Sequence, residues 1–168
     1  MRRLGCRRIV FILVLFYFYI RFLFERIRMV ILGVDYGYAR TGLAVCDELE
    51  VLSSPIGIIK ESYMPKVARE IASVASERGA KLVVVGLPLN MDGTKGEHAL
   101  ASEELASILA NEYGLNVALQ DERLTTVEAY NLLDESQTFG KKRRAAVDQV
   151  AATIILEDYI KTARKNGD

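Results

Sequence analysis

Residues 29–46 read MVILGVDYGYARTGLAVC, and this stretch decides the fold. Val30 to Val34 is an apolar run that ends on Asp35, and Gly42 to Cys46 is a second run beyond a turn containing Gly37 and Arg40. Two short runs rich in β-branched residues, separated by a glycine-bearing turn, predict adjacent antiparallel strands. Val51 to Ile59 is a third, interrupted by Ser53-Ser54-Pro55. Proline cannot donate to a sheet ladder, so this strand is expected at an edge or a bulge.

Downstream the period changes. Pro65 opens a helical pattern with Val67, Ile71, Val74 and Ala75 on one face and Gly79 after its end, the usual asymmetry of proline first and glycine last. Leu82 to Val85 is a continuous apolar run, as in a strand covered on both faces. Leu87 to Gly96 reads as a loop carrying Pro88, Asn90 and Asp92-Gly93. A helix to about Tyr113 follows, with Thr94 and Glu97 as its cap and Ala101, Leu105, Ile108 and Leu109 buried. Val117 to Leu119 is a short strand, and Thr125 to Leu133 a helix with a Thr125/Glu128 capping box. Asp134 to Ala145 reads as a polar, basic connection. Val147, Val150, Ala151, Ile154 and Ile155 give the last helix its apolar face. The order predicts an α/β domain over residues 29–168: a mixed five-stranded sheet, a meander followed by two crossover strands, flanked by helices.

A chain of 168 residues suits one domain, and 51% hydrophobic content supplies a core. Formal charge is zero, but residues 1–28 hold seven arginines and one glutamate. Residues 29–168 therefore keep fifteen basic and twenty-one acidic side chains, a net charge of −6. That balance runs against a simple basic nucleic-acid surface. In residues 1–28 the apolar run Ile9 to Ile20 is shorter than the ~20 residues that span a bilayer. The segment reads as an extension ahead of a true start at Met29; a membrane or interfacial anchor is the alternative. Cys6 and Cys46 form neither a disulfide framework nor a zinc pattern, which fits a reducing, cytoplasmic setting.

The chemistry-bearing candidates are acidic. Asp35 ends the first strand, Asp121-Glu122 follows the last, and Asp148 falls in the first turn of the final helix. Open α/β sheets bind ligands beyond the carboxyl ends of their strands. Carboxylates gathered there repel unless a cation joins them, and hard oxygen ligands select Mg²⁺ or Mn²⁺. Each has a bland alternative: Asp35 before Gly37 is a common turn, and Asp148 would favour a helix N-terminus by ~0.3–1 kcal/mol. Asp121 and Glu122 point to opposite faces, and spacing does not choose between them. Arg40, Arg123 and the run Lys141-Lys142-Arg143-Arg144 are candidate phosphate contacts or simple charge balance. Asn90 and Asp92 shape either the substrate groove or merely their own turn. His98 reads as a surface helix residue.

Four blocks resemble one family. Gly33-Val34-Asp35-Tyr36-Gly37 with Arg40 and Gly42-Leu43-Ala44 is the first, and Val85-Gly86-Leu87-Pro88-Leu89-Asn90-Met91-Asp92-Gly93-Thr94 the second. Asp121-Glu122-Arg123-Leu124-Thr125-Thr126-Val127-Glu128-Ala129 is the third, and Asp148-Gln149-Val150-Ala151-Ala152 with Ile154-Ile155-Leu156 the last. Together, over residues 30–160, they resemble the YqgF family of pre-16S rRNA nucleases related to Holliday junction resolvases. Thr41, where the family is usually aliphatic, departs from it. The resemblance implies a ribonuclease H-like fold and a site of Asp35, Glu122 and Asp148, choosing Glu122 over Asp121. It also implies two Mg²⁺ or Mn²⁺ ions that activate water and stabilise the leaving oxygen.

The function expected is a metal-dependent endonuclease processing the 5′ end of precursor 16S rRNA, with ribosomal precursor particles as partners and a monomer or weak homodimer as its state. A branched-DNA resolvase is the close variant, and a non-catalytic ribosome-assembly factor the alternative from another class. A phosphotransferase is disfavoured, since ~140 residues supply one domain of the two such enzymes use and no Walker-type loop is present.

Overall fold

The computed structural model describes residues 29–47, 53–123 and 141–166, the last of these as backbone alone except for the side chains of residues 150–165. Five strands form one sheet: β1 (Ile31–Tyr36), β2 (Thr41–Cys46), β3 (Ser53–Ile59), β4 (Leu82–Leu87) and β5 (Val117–Asp121). The helices are α1 (Met64–Arg78), α2 (Glu97–Tyr113) and α3 (Lys141–Asn166). Strand order is β3-β2-β1-β4-β5. β1, β2 and β3 pair antiparallel, whereas β4 lies parallel to β1 and β5 parallel to β4. The predicted meander with two crossover strands is therefore the observed architecture.

Alternation along β1 sorts its side chains between the two faces. Leu32, Val34 and Tyr36 enter a core built with Val67, Ala68, Ile71 and Ala75 of α1 and Leu105 and Leu109 of α2. Ile31 enters the opposite core, with Val84 and with Ala152, Ile155, Leu156 and Ile160 of α3. By parity Gly33 and Asp35 face α3. Each fully buried aliphatic side chain contributes roughly 1.5–3 kcal/mol, so both faces of the sheet are firmly covered.

Local chemistry agrees with these boundaries. Pro65 lies in the first turn of α1, and Gly79 closes the helix at φ 65°, a left-handed conformation that glycine adopts without steric cost. Pro55 is on the edge strand and also at a bulge: Leu43 pairs with Gly57 but Ala44 with Pro55, leaving Ile56 as the extra residue.

Several expectations need correction. α3 begins at Lys141, so Lys141 to Arg144 belong to its first turns rather than to a connection, and Asp148 is its eighth residue rather than part of the first turn. The packed face of α3 centres on Ala152, Ile155, Leu156 and Ile160, while Val150, Ala151 and Ile154 are only half-buried. In α2, Ala99, Ser102, Leu105, Ala106 and Leu109 are buried, with Ala101 and Ile108 at the margin. Gly96, not Thr94, caps α2; the Thr94 hydroxyl donates instead to Asp92, 2.6 Å away. Asp35 lies within β1, one residue before its end. The helix expected over Thr125–Leu133, the extension 1–28 and residues 48–52 lie outside the described residues. Among the described residues no helix is long and apolar enough to cross a membrane.

Thr41 is fully buried opposite Tyr36, and its hydroxyl has no hydrogen-bond partner among the described residues. A buried hydroxyl left unsatisfied costs about 1–3 kcal/mol. Thr41→Val, nearly the same shape, is expected to raise unfolding free energy by about 1 kcal/mol in a urea titration; equal or lower stability would contradict this account.

Candidate active site at the carboxyl edge of the sheet

Asp35, Gly86 and Glu122 meet at the carboxyl ends of three neighbouring parallel strands. The β1–β4 register pairs Val34 with Val85, which brings Asp35 level with Gly86. On the other side Gly86 pairs with Gln120. Glu122 follows β5 and donates its backbone N–H to the Leu87 carbonyl at 3.2 Å. This extends the ladder by one bond and turns Glu122 to the face that Ala118 shares with α3.

The carboxylate of Glu122 lies over Gly86. A Cβ added there would collide with Glu122 Oε1 and sit 2.6 Å from Ile155 Cδ1. The missing side chain is thus the space through which Glu122 reaches toward Asp35. A glycine inside an otherwise apolar strand is a signal of close approach, and that signal was available in the run Val83-Val84-Val85-Gly86-Leu87.

Burial pushes the Glu122 carboxyl up to about 7, with the negative charges of Asp35 and Asp121 adding to it. Asp121 behaves oppositely. Its Oδ2 accepts from Arg123 Nε at 2.8 Å and Nη2 at 2.6 Å, and its Oδ1 accepts the Arg123 backbone N–H at 3.0 Å. These bonds hold the Asp121 carboxyl below its usual range. The two adjacent acids therefore divide: Asp121 is neutralised by Arg123, and Glu122 is buried toward Asp35.

Asp148 occupies α3 one turn before Ala152, whose carbonyl oxygen would lie 2.8 Å from a Cβ at Gly33. Gly33 precedes Asp35 by two residues on the same face of β1. The side chains of Asp148 and of Lys141 to Arg144 lie outside the described residues. Among the described residues no three acidic, histidine or cysteine side chains gather as a metal site; Asp35 and Glu122 make two. Arg40 is exposed in the β1–β2 turn at the same edge. Asn90 and Asp92 close their own turn: Asn90 Nδ2 donates to Thr94 Oγ1 at 2.8 Å, and Asp92 Oδ1 accepts the Thr94 N–H at 2.9 Å. His98 is exposed at the start of α2, as expected, with its ring against Tyr38 at a centroid distance of 4.3 Å.

A raised Glu122 pKa has a definite sign in stability. The folded protein takes up a proton between the usual value of 4.5 and about 7. Stability is thus present below pH 4.5 and lost as pH rises to 7, by up to about 3 kcal/mol. In chelator, Glu122→Gln is expected to unfold at a higher temperature than the parent at about pH 8, with the gap closing toward about pH 5. A gap independent of pH would contradict the burial and charge argument.

Residues 29–162 match the RuvX family, described as Holliday junction resolvase. A protein of Lachnospira eligens is 40% identical over 140 residues, covering 82% of this chain and all of its own length. One from Myxococcus xanthus is 40% identical over 133 residues, covering 79% and 88%. Both carry the name "Putative pre-16S rRNA nuclease". Among solved structures, Thermus thermophilus RuvC superposes with a TM-score of 0.52 at 13% identity, over 80% of this chain and 97% of its own. That likeness identifies the fold as ribonuclease H-like. With four motif blocks in order and a match from residue 29 to residue 162, the chain belongs to the RuvX family, the YqgF family of the motif resemblance.

Proposed function

We propose that this protein is a divalent-metal-dependent endonuclease that hydrolyses phosphodiester bonds at the 5′ end of precursor 16S rRNA. The observation that carries the reading is the Glu122 carboxylate, buried over Gly86 beside Asp35 with its pKa raised to about 7. Two neighbouring carboxylates that repel one another, one of them desolvated and both offering only hard oxygen atoms, fit Mg²⁺ or Mn²⁺. Asp35 and Glu122 would hold the metal, with Asp148 as the third ligand. When bound, divalent ions supply an activated water and neutralise charge on the leaving oxygen.

The remaining work belongs to the chain. β1 carries Asp35 inside a hydrogen-bonded ladder, which limits its movement. Gly86 admits Glu122, and the Asp121–Arg123 ion pair braces the turn on which Glu122 sits. Arg40 and the run Lys141 to Arg144 would contact phosphates and set the register of the strand. The relatives' shared name supports precursor 16S rRNA as the substrate; a cytoplasmic setting with ribosomal precursor particles as partners belongs to the same proposal. The family description supports a second reading, cleavage of branched DNA.

The full chain is expected to cut a precursor 16S rRNA 5′-leader fragment in Mg²⁺ or Mn²⁺ and not in EDTA. Asp35→Asn should lose on the order of 10²-fold or more in rate. Gly86→Ala, by displacing Glu122 about 1 Å or more, should lose on the order of 10²-fold. Cutting confined to a four-way DNA junction would move the protein to the second reading. Binding without cutting in either metal would leave a non-catalytic assembly factor.

A further inference from the structure

Six large hydrophobic side chains are exposed among the described residues, and four of them, Tyr38, Tyr63, Met91 and Leu100, lie at one edge of the sheet. β1, β3 and β4 all end there, because β3 and β4 both run parallel to β1. Tyr38 sits in the β1–β2 turn, Tyr63 at the start of α1, Met91 in the β4–α2 loop and Leu100 in the first turn of α2. This is also the edge of Asp35 and Glu122.

Two parts of this rim are stiff. The Tyr38 ring is braced against His98 and meets Tyr36 edge-on at 6.2 Å, yet is 47% exposed. Met91 stands 87% exposed on a turn closed by the Asn90, Asp92 and Thr94 hydrogen bonds and by Gly93 N–H to the Asn90 carbonyl at 2.8 Å. The Tyr38 ring, held in place, loses little side-chain entropy when something stacks on it.

We infer that this apolar rim receives the unstacked bases of an unpaired strand, with the Tyr38–His98 pair as the stacking platform, so that the substrate is single-stranded where it meets the site. The exposed rings select this occupant. Residues 29–168 carry a net −6, so the phosphate contacts of Arg40 and of Lys141 to Arg144 supply only part of the affinity. Base stacking on aromatic rings is indifferent to that sign and contributes ~1–3 kcal/mol per base. Tyr38 follows Asp35 by three residues, at most about 10 Å of chain, which is within about three nucleotide steps of about 3.4 Å. The base on the ring would belong to a nucleotide within about three of the one being cut. The inference deepens the nuclease reading and rests on it.

The chain has no tryptophan, so Tyr38→Trp places a single fluorescent reporter on the rim. Full-length Asp35→Asn, in Mg²⁺, serves as the background, with a labelled RNA of about 12 nucleotides tested as a single strand and as a duplex. The single strand should bind at least about 10-fold tighter than the duplex and quench the emission of the introduced indole. Tyr38→Ala should weaken single-strand binding about 10-fold, and Tyr38→Phe less than about twofold. Unchanged emission at saturating RNA, equal affinity for duplex, or equal losses in Tyr38→Ala and Tyr38→Phe would overturn the inference. So would self-association that Tyr38→Ala abolishes, since the rim would then be a contact between copies. Failure of the parent protein to cut the same single strand in Mg²⁺ or Mn²⁺ would instead sink the nuclease reading, leaving the binding results to stand separately.

Discussion

The close seating of α3 on β1 and β4 is the contact on which the rest of the site depends. At Gly33 the carbonyl of Ala152 and the side chain of Leu156 occupy the space a Cβ would need, and at Gly86 Ile155 and Glu122 do so. Two glycines on adjacent central strands remove the side chains that would keep a helix at ordinary distance. Ala152, fully buried, contributes a small surface on the helix side. The helix can then cover the face of the sheet that bears Asp35, and Glu122 is drawn into a place where its charge is poorly solvated.

That desolvation is what separates the candidate site from an ordinary acidic surface. Exposed carboxylates at a strand end would keep ordinary pKa values and interact weakly through water. Glu122 instead keeps its proton well above the usual carboxylate range, up to about 7, while Asp121 beside it is held ionised by Arg123. One residue step along an extended backbone moves a side chain from one face of the sheet to the other. Two neighbouring acids thereby acquire opposite environments, one a bracing ion pair and the other a buried oxygen donor.

The same edge also concentrates exposed aromatic and apolar side chains, although residues 29–168 are acidic in sum. Rings and a methionine tip offer faces on which bases can stack, beside Arg40 in the same β1–β2 turn as Tyr38. The carboxylates and the rim come from the carboxyl ends of parallel strands and the segments that follow them, and parallel strands necessarily deliver those ends to one side.

Sequence alone determined the order of the described elements, an edge or a bulge at Pro55, and the α1 boundaries at Pro65 and Gly79, because periodicity, proline and glycine act through local sterics. It also delivered the candidate acids, through the motif resemblance rather than through spacing, which left Asp121 and Glu122 open. The resemblance chose Glu122 of the two, and the β4–β5 register with the gap at Gly86 shows that it is the Glu122 carboxylate that turns toward Asp35. Tertiary structure shifted the packed face of α3 to Ala152, Ile155, Leu156 and Ile160, because the facing glycines choose which side of an amphipathic helix can come nearest. The start of α3 at Lys141 was hidden by four consecutive basic residues, which carry no apolar period yet are good helix formers. The pairing of Tyr38 with His98 spans sixty residues of sequence, and no local rule reaches that far.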